Sequence, residues 1–142
     1  LHLSIRRQRQ MCIRDRMESD LLPIMLACAN GDITGIDVLW TSDAAVGVVL
    51  ASEGYPGNYT VGHPIGRDHA LHETTLVLHA GTGLRSSGSG TDELVTSGGR
   101  VMTVVGRSHD LSSARVLAYT AVEQIDFSGK QYRKDIAEFL NY

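Results

Sequence analysis

The chain has 142 residues, which is enough for one hydrophobic core, and its 42% hydrophobic and 20% charged residues are ordinary for a globular protein. The net charge of -3 is uneven: residues 1–16 hold five arginines and one aspartate, and the remainder holds eight basic and 15 acidic side chains. These numbers exclude a general nucleic-acid surface, a membrane-spanning segment and a disulfide framework built on the 2 cysteines. We expect a cytoplasmic globular protein with neither nucleic-acid nor membrane partners.

Residues 1–16 show no apolar periodicity, and Arg6 to Gln10 are polar throughout. A basic arm for nucleic acid or an anionic membrane is one interpretation of this run. The preferred one is a non-native or disordered segment, because Met11-Cys12-Ile13-Arg14-Asp15-Arg16 resembles a translated sequencing adapter. We therefore expect the native sequence to begin near Met17 and leave the first 16 residues out of the fold prediction.

The first predicted element is a helix from about residue 20 to 30. Ser19 or Asp20 can cap its first turn, where Pro23 also fits, and Gly31 can end it in the left-handed conformation. We expect Cys28 on the apolar face, as a small core residue. The other apolar residues at helical spacing are Leu21, Leu22, Met25, Leu26 and Ala29. Strands at 36–40 and 44–51 are predicted to follow as a hairpin.

Short strands and glycine-rich connections fill the middle of the chain. We predict a shaped loop at 54–59, one helical turn from Asp68 to Glu73, and strands at 75–79, 94–96 and 100–105. Serine and glycine dominate 85–93, which predicts a flexible hairpin tip.

A second long helix is predicted after its N-cap, Asp110. One apolar stripe runs along it, formed by Leu111, Ala114, Leu117, Ala118, Ala121, Val122 and Ile125. Gly129 ends this region, and Asp135 to Leu140 is predicted to form a last short helix. The order of one helix, mostly antiparallel strands and then helices predicts an α+β fold.

Three glycine-containing segments carry the most specific pattern: Ser52 to Gly57, His79-Ala80-Gly81-Thr82 and Gly98-Gly99-Arg100-Val101. Glycine beside a polar residue at a strand end lets backbone approach a ligand or a neighbouring domain closely. His79 can donate to a phosphate or serve only as a structural residue, and Thr82 can cap its own turn. Arg100 suits either a substrate anion or an interdomain ion pair.

Other sites find little support in the residues. His63, His69 and His72 are close in sequence, but no cysteine or acidic pattern completes a metal site. Neither a phosphate-binding loop nor a nucleophile elbow is present, and Lys130 and Lys134 are the only lysines. We therefore expect neither a catalytic residue nor a metal ligand in this chain.

From Met17 to Ile136, the segments resemble, in order, the phosphoribosylamine–glycine ligase family of ATP-grasp enzymes. The matching pieces are Glu18 to Pro23 with Ala27 to Ala29, Ala44 to Ser52, Gly54 to Pro56, the His79 and Gly98 segments with Val95-Thr96, and Tyr132 to Ile136. The chain departs from the family at Glu53 and Gly83, in a longer hairpin between Ser86 and Glu93, and in lacking an Arg-Phe-Gly-Asp-Pro-Glu signature before Glu18.

The resemblance implies a division of the chain. Residues 17–35 would be the terminal helix of the ATP-grasp domain. Residues 36–142 would be the C-terminal domain, a mostly antiparallel sheet or partial barrel with two longer helices, of the rudiment single hybrid motif type.

The resemblance also implies a chemistry. The parent enzyme would join glycine to 5-phosphoribosylamine through an acyl phosphate made from ATP, with ATP and Mg²⁺ bound by the missing upstream part. The present domain would wall the site and be inactive alone. His79, Gly81, Thr82, Gly98, Gly99 and Arg100 would face the substrates, and Gly54, Tyr55 and Pro56 would form a shaped loop.

Two alternatives stay open. One is the C-terminal domain of another ATP-grasp ligase or carboxylase, and the other is a free-standing, non-catalytic interaction module. An orphaned leading helix would also expose an apolar stripe.

Overall fold

A computed structural model describes residues 16–67, 71–86 and 90–138. Its two helices are α1 (Leu21–Ala29) and α2 (Leu111–Glu123). Its strands are β1 (Ala44–Ala51), β2 (Gly66–Arg67), β3 (Thr75–His79), β4 (Thr82–Ser86), β5 (Asp92–Thr96), β6 (Arg100–Ser108) and β7 (Ile125–Asp126). The α+β class and the mostly antiparallel pairing predicted from the sequence are confirmed.

The central sheet has three strands in the order β1-β6-β3. Strand β6 lies between its two antiparallel partners, with Val48 opposite Val104 and Val77 opposite the same residue on the other side. The predicted hairpin of 36–40 with 44–51 is therefore wrong, because β1 pairs with a strand about fifty residues later. Strand β6 is apolar on both faces, which suits a central position.

Helix α2 covers one face of the sheet and forms the core with it. Val46, Val48 and Leu50 alternate inward along β1 and meet the inward face of the helix, whose buried residues are Ala114, Ala118, Ala121 and Val122. The small alanines bring the helix backbone close to the sheet. At Gly106 an added β-carbon would lie 2.5 Å from the Ala114 carbonyl oxygen and 2.5 Å from the Ala118 nitrogen. The predicted apolar stripe is confirmed for Leu111 and for the four buried residues of this helix. Ile125 is buried too but lies beyond the helix in β7, and Leu117 is only half-buried.

Helix α2 is capped at both ends by side chains. The Asp110 carboxylate accepts from the Ser113 backbone N–H at 2.9 Å and from its hydroxyl at 2.6 Å, as the sequence predicts for an N-cap. At the other end the Lys130 ammonium donates to the Val122 and Ile125 carbonyls, at 3.2 and 2.6 Å. These contacts satisfy groups that the helix itself leaves unpaired.

The N-cap predicts an acid-sensitive contribution to stability. The hydrogen bonds from Ser113 lower the pKa of Asp110, so the carboxylate stabilises the fold above the ordinary aspartate pKa of about 3.9 and loses this effect as the pH falls through the folded-state value. Asp110→Ala is expected to lower the melting temperature at pH 7 and to change it much less at pH 3. Thermal unfolding of both proteins at the two pH values measures this, and an equal difference at both would contradict it.

Residues 16–41 form a segment whose two ends pair with each other. Glu18 donates from its backbone N–H to the Leu39 carbonyl at 2.9 Å, and Thr41 donates to the Arg16 carbonyl at 2.8 Å. The Ser19 hydroxyl accepts from the Leu39 N–H at 2.7 Å. Trp40 therefore bridges to Met17, and the strand predicted at 36–40 is wrong apart from this single bridge.

Helix α1 lies within this segment. It begins at Asp20, one of the two predicted N-caps, whose carboxylate accepts from the Leu22 N–H. Gly31 follows it at φ +75°, as predicted. None of its residues is buried: Leu22 is 71% exposed and Leu26 is 60% exposed. The prediction of Cys28 as a core residue is wrong, because its thiol is exposed and no residue of this helix is buried in the described chain.

Three further predictions meet the limits of the described residues. The helical turn at 68–73 begins with 68–70, which lie outside them, and 71–74 hold a turn at Glu73-Thr74 but no helix. The tip at 85–93 includes 87–89, also outside, while its flanks pair as β4 and β5. The last helix at 135–140 is wrong for 136–138, which form a turn, and Phe139 and Leu140 lie outside. Neither helix of the described chain is long and apolar enough to cross a membrane.

Candidate functional site

The glycine segments His79–Thr82 and Gly98–Val101 meet at the end of the central sheet where β3 ends and β6 begins. Gly81 donates its N–H to the carbonyls of Arg100 and Val101, at 2.8 and 2.9 Å, and accepts from the Ser97 N–H at 2.7 Å. A β-carbon at position 81 would lie 2.6 Å from the Arg100 carbonyl oxygen and 2.8 Å from the Gly98 Cα. Only glycine allows these backbones to approach so closely.

The loop that follows β1 packs over the Gly98–Val101 segment. Gly99 is buried beneath the rings of Tyr55 and Tyr59, whose centroids lie 6.1 Å apart. A β-carbon at Gly99 would collide with the Tyr55 ring and come within 2.9 Å of the Tyr59 Cε1. The loop is shaped by Gly54 at φ +87° and by a cis Tyr55–Pro56 peptide bond. The sequence predicts its irregular shape but not its contact with Gly99.

Ser52 joins the loop to the Gly98–Arg100 turn. Its backbone N–H donates to the Gly99 carbonyl at 2.8 Å and its hydroxyl donates to the Gly98 carbonyl at 3.0 Å. Its own carbonyl accepts from the Tyr55 N–H at 3.1 Å and from the Gln131 amide at 3.1 Å. Residue-by-residue inspection of the sequence missed this role, although Ser52 stands at the head of the Ser52–Gly57 motif.

Two polar side chains lie beside these glycines. The His79 Nδ1 is 3.1 Å from the Thr82 hydroxyl, so the histidine is bonded across its own turn. Arg100 is exposed, and no carboxylate of the described residues lies within 4 Å of its guanidinium. His79 pairs with Met102 in the sheet, so both side chains originate at the same end of the molecule. This end offers a cation and an imidazole against a rigid backbone wall, which suits recognition of an anion.

The C-terminal segment borders the same end. Gln131 exchanges backbone hydrogen bonds with Ala51, at 2.8 and 2.9 Å, and Gly129 packs against Glu53, one of the departures from the family pattern. The next residue, Tyr132, donates to the Glu123 carboxylate at 2.5 Å, and this hydrogen bond raises the pKa of Tyr132 to about 12. The segment is thus held from both sides, and no local sequence pattern predicts the pairing of Gln131 with Ala51.

Two of the three histidines considered for a metal site lie in the described residues. His63 bonds to the Thr60 hydroxyl and His72 to that of Thr74, each at 2.8 Å, and His69 lies outside the described residues. Within the described ranges, no three side chains of the metal-binding types converge. An open cavity of about 650 Å³ lies near the far end of β6, beside Arg107, Ser108 and His109, away from these glycine segments.

The family model named Phosphoribosylglycinamide synthetase, C domain, matches residues 45–139. The chain belongs to this family. The match begins at the second residue of β1 and includes all the glycine segments of the site. It leaves the segment 16–41 outside the C domain.

Curated relatives of the C domain agree. The chain is 42% identical over 124 residues to a chloroplastic phosphoribosylamine–glycine ligase of Arabidopsis thaliana, covering 85% of this chain and 23% of that protein. It is 39% identical to the ligase of Neisseria meningitidis serogroup A, covering 89% and 29%. A bifunctional purine biosynthetic protein of Dictyostelium discoideum is also 39% identical, with 86% and 15% covered.

A solved structure carries the same fold. The crystal structure of the phosphoribosylamine–glycine ligase of Thermotoga maritima superposes with a TM-score of 0.63 and 36% sequence identity, covering 78% of this chain and 26% of that one. The chain spans 15–29% of the curated relatives described above. The C domain is therefore one part of a much longer protein in each of these relatives.

Proposed function

We propose that this chain is the C-terminal part of a phosphoribosylamine–glycine ligase, which joins glycine to 5-phosphoribosylamine in purine biosynthesis. The match to the C-domain family and the relatives named as this ligase support the proposal. The observation that carries it is the packing of Gly81, Gly98 and Gly99 against Arg100 and Tyr55 in one place, because these residues stem from motifs far apart in the sequence.

The proposed reaction is formation of an amide at the expense of ATP. The glycine carboxylate attacks the γ-phosphate and releases ADP, and the amine of 5-phosphoribosylamine then attacks the acyl phosphate and releases phosphate. Within the described residues, no three carboxylate, histidine or cysteine side chains converge. We assign ATP and Mg²⁺ to the part of the ligase that lies outside the matched segment.

The proposed task of this domain is to wall the substrate site. Where Gly81 packs against Gly98, neither residue has a side chain, so backbone forms the surface. The loop that carries Tyr55 and Tyr59 packs against one side of this surface, at Gly99. A rigid wall excludes water from an acyl phosphate, which would otherwise hydrolyse. Arg100 is the residue we assign to a substrate anion, with His79 and Thr82 beside it. None of these residues is proposed to bond covalently with substrate.

We also propose a domain boundary. The sequence indicates residues 17–35 as the end of the ATP-grasp domain and 36–142 as the C-terminal domain. The pairing of 16–19 with 37–41 supports a boundary nearer Thr41, with α1 and the strand-like return as one unit. Its exposed leucines and Met25 would pack against the ATP-grasp domain. The C-terminal domain would be the rudiment single hybrid motif, closed as a partial barrel, in a cytoplasmic enzyme.

One experiment tests the proposal. The full-length protein, expressed from the complete gene, is expected to release ADP and phosphate only when glycine and 5-phosphoribosylamine are both present. Residues 17–142 alone are expected neither to form glycinamide ribonucleotide nor to bind ATP in calorimetry. Product formation by the short chain would refute the division of labour, and an inactive full-length protein would refute the ligase assignment.

A further inference from the structure

Ser52 is buried, with 2% of its surface exposed, and it makes hydrogen bonds through its backbone N–H, its backbone carbonyl and its side chain. Its partners lie in three segments: the turn at 98–99, the tyrosine loop and Gln131. A buried polar group with every bond satisfied tends to specify one arrangement of its neighbours. Here the arrangement is that of the three segments that border the candidate site.

The turn depends on this residue more than on any side chain of its own. Gly98 and Gly99 have no side chains, and two successive carbonyls of the turn both accept from Ser52, one from its hydroxyl and one from its N–H. Glycine has wide backbone freedom, so an unanchored Gly-Gly pair would sample several conformations. Loss of the hydroxyl would free the Gly98 carbonyl and leave a half-buried acceptor without this donor.

Arg100 follows the turn directly. Arg100 is the first residue of β6, so a rotation of the Gly98–Gly99 peptide would change the direction in which the chain enters the strand and with it where the guanidinium points. The Tyr55 contact on Gly99 limits but does not fix this rotation, since aromatic rings pack without directional bonds to the peptide.

We propose that Ser52 is a positioning residue: it holds the Gly98–Arg100 turn in the conformation that presents the Arg100 guanidinium to substrate. This inference rests on the proposed function, because it assigns Ser52 an effect that passes through Arg100. It adds a residue that neither contacts substrate nor carries charge.

The test is a double-mutant cycle in the full-length ligase, with Ser52→Ala, Arg100→Ala and both together. Ser52→Ala is expected to lower kcat/KM about three- to tenfold, the effect of one lost hydrogen bond. It is expected to change kcat/KM less than twofold once Arg100 is already alanine. Equal loss in both backgrounds would overturn the inference, because the effect would then not pass through Arg100.

Gln131→Ala provides the matched control. Gln131 donates to the Ser52 carbonyl, so this variant removes a hydrogen bond from the same residue and leaves the turn intact. Its kcat/KM is expected to stay within twofold of the parent. Should Ser52→Ala fail to fold, Ser52→Cys keeps the side-chain shape at a slightly larger volume with a much weaker donor, and the same cycle applies.

Amide hydrogen exchange separates this inference from the ligase assignment. In Ser52→Ala the amide of residue 52, which donates to the Gly99 carbonyl, is expected to exchange at least tenfold faster than in the parent, while those of β3 stay unchanged. If the full-length protein proves inactive, faster exchange confined to this amide would still support the anchoring role of Ser52. Unchanged exchange at residue 52 would overturn it whatever the activity.

Discussion

Arg100→Ala in the full-length ligase is expected to reduce kcat/KM by about 10- to 100-fold. A hydrogen bond to a charged group contributes about 1.5–3 kcal/mol, which corresponds to this range of rates. No carboxylate of the described chain lies within 4 Å of the Arg100 guanidinium, so its charge is available to a substrate anion. Steady-state kinetics with each of the three substrates varied in turn will identify which substrate loses affinity.

Arg85→Ala is the matched control for this substitution. Arg85 is also exposed on a strand of the same half of the chain, but it pairs with Glu93 at 2.6 Å across the β4–β5 hairpin. Its removal is expected to leave the kinetics within twofold. A lower melting temperature for Arg100→Ala, with unchanged Michaelis constants, would instead identify Arg100 as half of an interdomain ion pair and would remove it from the substrate site.

Gly106→Ala is expected to lower the free energy of unfolding by about 3 kcal/mol, the upper end of the usual range for overpacking a core. The new methyl group would meet two backbone atoms of α2 at 2.5 Å, and backbone cannot turn aside as a side chain can. The helix must move away from the sheet and loosen its contacts with Val46 and Val48. Urea denaturation followed by circular dichroism measures the loss.

Gly47→Ala is the control, on the paired strand and in the same sheet. An added β-carbon there would lie 3.6 Å from the Thr103 Cγ2 and 3.8 Å from the Val105 Cγ2, which is ordinary van der Waals contact. Because glycine within a strand costs about 0.5–1 kcal/mol relative to alanine, this variant is expected to be unchanged or slightly more stable. Similar losses for the two variants would show that helix packing at Gly106 is not the cause.

Local signals predicted the elements whose causes are local. Asp110 caps α2 as predicted, and Asp20, one of two predicted candidates, caps α1. The apolar stretch 44–51 forms β1, and most of the stripe on α2 faces the core. Pairing partners were not predicted in the same way. The apolar stretch 36–40 suits a strand, yet its hydrogen bonds go to 16–19, and no periodicity within the stretch encodes that choice.

In the candidate site, too, local features could be predicted from the sequence and long-range contacts could not. The glycine segments could be singled out from sequence because backbone approach needs glycine, whereas the role of Ser52 depends on a bond to a residue 46 positions away. The error at Cys28 has a different origin. Amphipathic spacing predicts burial only when a partner exists, and the described chain supplies none for α1.

The contact of Gly99 with two tyrosine rings has a consequence for how this protein can diverge. The space that a side chain at 99 would need is already filled by the rings of Tyr55 and Tyr59, so a larger residue at 99 requires change at both ring positions. A lineage that replaces both tyrosines with smaller residues gains room for alanine at 99, and one that keeps either ring keeps the glycine. Linked change at these three positions is the trace that this contact should leave across descendants of a common ancestor.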